Sequence, residues 1–228
     1  MRHIHEFDKN AQSYQRYKII QTKVARHLVQ GIKKRGKHIL DLGAGSGEVY
    51  RAIDWEYERF IAVDMSANML RLHPSKKVEK RLCNFDEQKC LKLFSKEPID
   101  LVISSSALQW SQDLDRTLAT IANISSNVAF ALFTSNTFAT IHQMLGIDSP
   151  IYSKEEIVDT LCRHFMLHLE TRAYRLFFLE KKDLFDYIKK SGVSSGRKRA
   201  SIKELRTLIR DYPLNYLEFE VVFAWSKE

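Results

Sequence analysis

Residues 39–50 read ILDLGAGSGEVY. Ile39, Leu40 and Leu42 form an apolar run interrupted only by Asp41, the pattern of a strand buried on both faces. Gly43, Gly45 and Gly47 follow at every second position, in a chain that has 8 glycines among 228 residues. In an open α/β sheet, the loop after the first strand lies at the carboxyl edge, beside the point where strand order reverses and ligands bind. Glycines there let the backbone turn sharply and approach a ligand closely, while the first N–H groups of the following helix face its anionic part.

Outward from this loop the chain alternates. Ile20, Val24, Leu28 and Ile32 recur every four residues, so a helix is predicted from Asp8 to about Lys34, with Gly36 as its stop. Strands are read at KHILDL, RFIAVDM, KRLCNF, IDLVISSS and NVAFALFTS, with helices between them. That alternation predicts a parallel sheet with helices on both faces. Past Ser135 come two helices, the second opened by a Ser153–Glu156 capping box, then the strand LETRAYRLFF. Helices KKDLFDYIKKSG and SIKELRTLIRDY, the latter opened by Ser201 and Glu204, separate that strand from a last one, LNYLEFEVVFAWS. One domain is expected: an N-terminal helical arm over 1–36, a core over 37–135, and a C-terminal part over 136–228 with a helical lid at about 180–213.

Composition narrows the class. With 44% hydrophobic and 11% aromatic residues, the chain is neither disordered nor fibrous. Its longest clear apolar run, Val128 to Phe133, is far short of the roughly 20 residues a membrane helix needs. MRHIHEFDKN lacks the apolar centre of a signal peptide, so a cytoplasmic protein is expected. Cys83, Cys90 and Cys162 form no C-x-x-C pair and no metal-ligand spacing; they are read as reduced core thiols, and no metal is expected. The net charge of +8 favours an anionic partner: nucleic acid, a membrane surface or an acidic protein.

Further residues gather at the predicted carboxyl edge. Asp64 closes the second strand, where a carboxylate can accept hydrogen bonds from a ribose diol. Asn84 and Phe85 end the third, an amide and an aromatic ring suited to an adenine, and SSSALQW follows the fourth. The order D-L-G-x-G-x-G with an acid at the next strand end resembles the class I S-adenosylmethionine-dependent methyltransferases. That resemblance implies a Rossmann-like, doubly wound, mostly parallel seven-stranded sheet with the helical arm and a lid between the last two strands. It also implies roles: Asp41, Gly43, Ala44, Gly45 and Gly47 at the amino-acid end of S-adenosylmethionine, and Asp64 at the ribose. Met65 and Phe85 would cover the adenine faces, Asn84 would meet the adenine amino group, and Ser104 would line the same site. The family more often has Asp where Asn84 stands.

The acceptor half carries a second resemblance. FDKNAQSYQRYKIIQ, SSSALQW, FTSNTFATIHQM, YSKEEIVDTL, YIKKSGV and YPLNYLEFEVVF occur in an order similar to the malonyl-acyl-carrier-protein O-methyltransferases of biotin synthesis. S-x-x-A-x-Q-W and Y-P-L-x-Y are the more selective of these. This implies methyl transfer to the free carboxylate of a malonyl thioester on acyl carrier protein, leaving S-adenosylhomocysteine. Tyr14 and Gln109 are the expected catalytic residues, with Tyr17, Trp110, His142 and Lys189 on the acceptor. His142 shares its helix with Phe138, Ile141 and Leu145, which equally suits a core histidine. Lys189, Lys190, Arg197, Lys198 and Arg199 would meet the acidic carrier, and solvated helix faces are the plainer reading of the same charges. A nucleic-acid methyltransferase would show N/D-P-P-Y/F or a catalytic Cys beside Pro; neither is present, so neither a nucleic-acid nor a membrane partner is expected. A methyltransferase for another small molecule is the main alternative, because a fold does not set its acceptor. A non-catalytic cofactor-binding protein ranks below it.

Overall fold

The computed structural model describes residues 18–74, 76–190 and 202–227. Tyr14, Tyr17, Arg197, Lys198, Arg199 and the Ser201 cap lie outside the described residues. In chain order the elements are α1 (Ile19–Gln30), β1 (His38–Leu42), α2 (Glu48–Ala52), β2 (Arg59–Asp64), α3 (Ala67–Leu72), β3 (Glu79–Leu82), α4 (Gln88–Lys92) and β4 (Leu101–Ser105). They continue with α5 (Leu114–Ala122), β5 (Val128–Phe133), α6 (Ala139–Leu145), α7 (Lys154–His164), β6 (Leu167–Phe177), α8 (Lys181–Lys190), α9 (Ile202–Asp211) and β7 (Tyr216–Ser226). A 3₁₀ turn, Leu108–Trp110, follows β4.

Seven strands form one sheet in the order β3-β2-β1-β4-β5-β7-β6. The first five are parallel, and β7 runs antiparallel between β5 and β6. Strand order therefore reverses between β1 and β4, and the glycine loop sits at that switch point. Alternation along each strand builds two cores. Ile39, Phe60, Ala62, Leu101, Ile103, Ala129 and Phe223 face α1, whose Ile20, Val24 and Leu28 are buried with them. Leu40, Leu42, Ile61, Val63, Val102, Phe130 and Val222 face the other way, onto Leu114 and Leu118 of α5 and Ile157 and Leu161 of α7. The helical insertion between the last two strands is present as α8 and α9.

Two expectations are corrected. The first helix ends at Gln30 rather than near Lys34. Trp225, 197 residues away in sequence, donates its indole N–H to the Leu28 carbonyl at 2.8 Å. The same ring lies so close to Gly31 that an added Cβ would stand 2.4 Å from it. The cysteines differ too: Cys83 and Cys90 are joined as a disulfide with Cα atoms 6.0 Å apart, and Cys162 is exposed.

Candidate cofactor and acceptor site

The loop after β1 is bound to the end of β2. Gly43 and Ala44 donate their N–H groups to the Val63 carbonyl at 2.8 and 2.9 Å, and Gly45 N–H donates to Asp64 Oδ2 at 2.8 Å. Asp64 Oδ1 accepts the Ser66 N–H at 2.8 Å, and the Ser66 hydroxyl in turn caps α3. Burial pushes the Asp64 carboxyl up, against the backbone donors of Ser66, Gly45 and Met65. With three backbone donors on its roughly four lone-pair sites, the carboxylate keeps a place for a further donor such as a ribose hydroxyl.

Gly43 has φ +71°, and an added Cβ would sit 2.2 Å from the Ala107 Cβ and 3.9 Å from Phe85. The glycine thus lets the loops after β3 and β4 close against the glycine loop. Beneath it Asp41 is fully buried, and neither carboxylate oxygen has a hydrogen-bond partner among the described residues. Burial, then the neighbouring Asp64, holds its pKa well above the ordinary range. Two orphaned acceptor oxygens under a glycine-rich turn suit a cationic group such as the ammonium of S-adenosylmethionine, which would relieve that cost. The chain's residues therefore fit the cofactor at this end.

Asn84 Oδ1 accepts the Asp86 N–H at 3.0 Å, which leaves its amide N–H groups and one lone pair for an adenine edge. Phe85 is buried and Met65 half-buried, beside the same loop. Ser104 is placed differently from the cofactor contact expected of it: it is fully buried and its hydroxyl donates to the Leu42 carbonyl at 2.7 Å. It fastens β4 to β1 at the switch point. Gln109 is buried in the 3₁₀ turn and donates from Nε2 to the Ser106 carbonyl at 2.8 Å, while its Oε1 has no partner among the described residues. Ser106 has φ +61°, a strained setting for a residue with a Cβ, and Gln109 braces it. Trp110 is half-buried beside it.

Beyond the end of β5 lies a polar cluster that the sequence reading found only in part. His142 Nδ1 on α6 is buried without a partner among the described residues; burial pushes its pKa down and nearby Glu218 pulls it up. Glu218 accepts from the Thr140 hydroxyl, and its Oε2 is buried without a partner among the described residues. Tyr212, of the Y-P-L-x-Y segment, is buried and donates to the Tyr216 carbonyl at 3.1 Å; burial and then Glu218 drive its pKa upward. Glu220 accepts from Thr134 and Asn136 at 2.7 and 2.9 Å. Lys189 lies in the last turn of α8.

Lys18 and Glu48 also escaped the sequence reading. Lys18 Nζ bonds the Glu48 carboxylate and, at 3.2 Å, the Ser46 hydroxyl; Thr22 and Arg51 reach the same carboxylate at 2.6 Å each. Although burial pushes Glu48 up, these donors hold it below the usual carboxylate range. The pair fixes the start of α1 to the glycine loop. Nothing in the separation of Lys18 from Glu48 announces it.

His73 packs against Gly47 from the far side, between Tyr50 and Phe60, with both ring nitrogens unpartnered among the described residues. Burial first, then Lys80 and Arg51, lower its pKa from 6.5 to about 4. The unfolded chain thus takes up a proton near pH 6.5 that the folded chain refuses until about pH 4. Stability from this group is complete above pH 6.5 and is lost as pH falls toward 4. Urea midpoints are expected to drop across that window, and His73→Phe is expected to flatten the drop; an unchanged slope in the variant would assign it to other groups.

Residues 40–130 match a family described as a methyltransferase domain. A malonyl-[acyl-carrier protein] O-methyltransferase of Chlorobium phaeovibrioides is 29% identical over 224 residues, covering 90% of this chain and 83% of that protein. A putative methyltransferase from an antibiotic biosynthesis pathway of Anabaena variabilis superposes with TM-score 0.64 at 15% identity, covering 91% of this chain and all of that one. Geranyl diphosphate methyltransferase in complex with S-adenosylmethionine superposes with TM-score 0.53 at 14% identity, over 90% of this chain and 85% of the other.

Residues 40–130 carry a methyltransferase domain. The matched stretch runs from β1 into β5 and so contains the glycine loop, Asp64, Asn84, Phe85 and the turn after β4. Among the described residues, no group of three or more His, Cys, Asp or Glu side chains could hold a metal ion. No helix among them is long and apolar enough to cross a membrane.

Proposed function

We propose that this methyltransferase moves the methyl group of S-adenosylmethionine to the free carboxylate of a malonyl thioester on acyl carrier protein, giving the methyl ester that begins pimeloyl synthesis for biotin. One observation carries the reading: likeness to the Chlorobium phaeovibrioides malonyl-carrier enzyme extends over 90% of this chain, far past the cofactor half that methyltransferases of many kinds share. The more selective segments are Gln109–Trp110, in the turn after β4, and Tyr212–Tyr216, leading into β7.

When bound, S-adenosylmethionine supplies a methyl group already activated on a sulfonium. Asp41 and the Gly43–Gly47 loop, with Ala44, hold the amino-acid end; Asp64 takes the ribose hydroxyls; Asn84, Phe85 and Met65 hold the adenine. A malonyl carboxylate is ionised at neutral pH, so no side chain has to remove a proton. The chain's contribution is alignment and exclusion of water, and alignment alone can supply about 7 to 11 kcal/mol. Tyr14, Tyr17 and the remaining N–H of Gln109 are assigned to the carboxylate, with Trp110 as a wall. Lys18, fixed at the glycine loop, supports this for the arm: Tyr17 is its neighbour in the chain. Lys189, Lys190, Arg197, Lys198 and Arg199 are assigned to the acidic carrier, whose approach positive charge would hasten in low salt.

A second reading, methylation of a small molecule whose acceptor must lose a proton, draws on His142 and Glu218, because a histidine nitrogen and a carboxylate oxygen without partners among the described residues could serve as a base. Intact mass spectrometry separates the two. Malonyl carrier protein incubated with the enzyme and S-adenosylmethionine is expected to gain one methyl group, and acetyl carrier protein none. No gain on the malonyl carrier would move the assignment to the second reading.

A further inference from the structure

Tyr152 enters no part of the mechanism above, yet it joins the segment after β4 to the segment after β5. Its hydroxyl donates to the Ser111 carbonyl at 2.8 Å and accepts the Leu114 N–H at 3.3 Å, gripping the chain just after the Leu108–Trp110 turn. Its own carbonyl accepts the Ser135 N–H at 2.8 Å, just past the end of β5. The next residue, Ser153, caps α7 through a full capping box, and Ile157 and Leu161 of that helix lie in the core with Leu114 and Leu118. The phenol is therefore mounted on a rigid base. From the other side, Asp86 Oδ1 accepts the Ser111 hydroxyl at 2.8 Å and the Gln112 N–H at 3.1 Å.

The turn needs such a grip. It begins at Ser106, whose φ of +61° is strained, and at its near end Gln109 holds the Ser106 carbonyl. Tyr152 and Asp86 close its far end. We infer that Tyr152 is a positioning residue for methyl transfer, setting through Ser111 and Leu114 the place of the Gln109–Trp110 turn against the acceptor. The inference rests on the proposed reaction for its kinetic consequence, and on the hydrogen bonds alone for its structural one.

Tyr152→Phe removes both phenolic bonds while keeping the ring and the backbone bond to Ser135. A misplacement near 1 Å can cost about 100-fold, so kcat toward malonyl carrier protein is expected to fall by about 10- to 100-fold. The KM for the carrier and the affinity for S-adenosylhomocysteine, read by calorimetry, are expected to stay within about threefold, as for an interaction expressed in the transition state. Amide exchange over 106–114 is expected to quicken by about tenfold, with 39–49 unchanged. A kcat within about twofold of wild type, or a parallel loss of S-adenosylhomocysteine affinity, would overturn the inference. Should the wild-type chain leave malonyl carrier protein unmethylated, the proposed reaction fails by itself. The exchange data then decide Tyr152: unchanged exchange over 106–114 overturns it.

Discussion

Asp64→Ala is expected to abolish useful cofactor binding while leaving a folded protein. The substitution strips the Gly45 and Ser66 N–H groups of their acceptor and removes the oxygens available to a ribose diol. Hydrogen bonds to a charged group contribute about 1.5 to 3 kcal/mol each. Two of them amount to about 3 to 6 kcal/mol, and each 1.4 kcal/mol is tenfold, so affinity for S-adenosylhomocysteine should weaken by about 100-fold or more. Asp64→Asn keeps one acceptor oxygen but sets an NH₂ group against the other backbone donor, and an intermediate loss is expected. Calorimetry decides the matter; affinity for the alanine variant within about threefold of wild type would remove Asp64 from the cofactor site.

Gly43→Ala is expected to damage both halves of the site at once. At φ +71° an L-residue costs about 1 to 2 kcal/mol, and the new methyl would lie 2.2 Å from the Ala107 Cβ. Forcing such an overlap costs roughly 1 to 3 kcal/mol more. Relief by moving Ala107 would drag the Leu108–Trp110 turn, and relief by moving the loop would break the bonds to Val63 and Asp64. Loss of stability of about 2 to 5 kcal/mol, from those two terms, and loss of S-adenosylhomocysteine binding are expected together. Gly146→Ala is the control. Its φ is +58°, but nothing lies within 4 Å of the added Cβ, so it should cost only the conformational part and leave cofactor affinity intact. Equal effects of the two substitutions on affinity would refute the packing argument at Gly43.

The parallel half of the fold was legible because its signals are local. Ile39–Leu42, Phe60–Val63, Leu101–Ile103 and Val128–Phe133 are apolar on both faces, which a covered strand requires, and capping residues such as Ser66 and Ser153 stand beside the helices they open. The glycine loop and Asp64 were visible for the same reason: a strand end followed by glycine is a short-range pattern. What escaped depends on groups far apart in sequence. No periodicity places Trp225 over Gly31 to end α1, or Lys18 on Glu48. The pairing of Cys83 with Cys90 depends on the path of the chain between them, which the absence of a C-x-x-C motif could not report. Ser104 looked like a site residue because it sits at the right strand end, and only the register of β1 with β4 shows its hydroxyl donating to the Leu42 carbonyl. Glu218 and His142 meet because β7 runs antiparallel to β5 and carries its early residues past the end of that strand.

The account stands on the methyl group reaching a carboxylate oxygen, and base lability reads that bond directly. After incubation of the enzyme with malonyl carrier protein and methyl-labelled S-adenosylmethionine, the isolated carrier is saponified to completion, so that any methyl ester, on the carrier or released with its malonyl group, is cleaved. Label on the carrier that leaves as volatile methanol is the predicted result. Label that stays non-volatile, or a carrier that carries none, would contradict it.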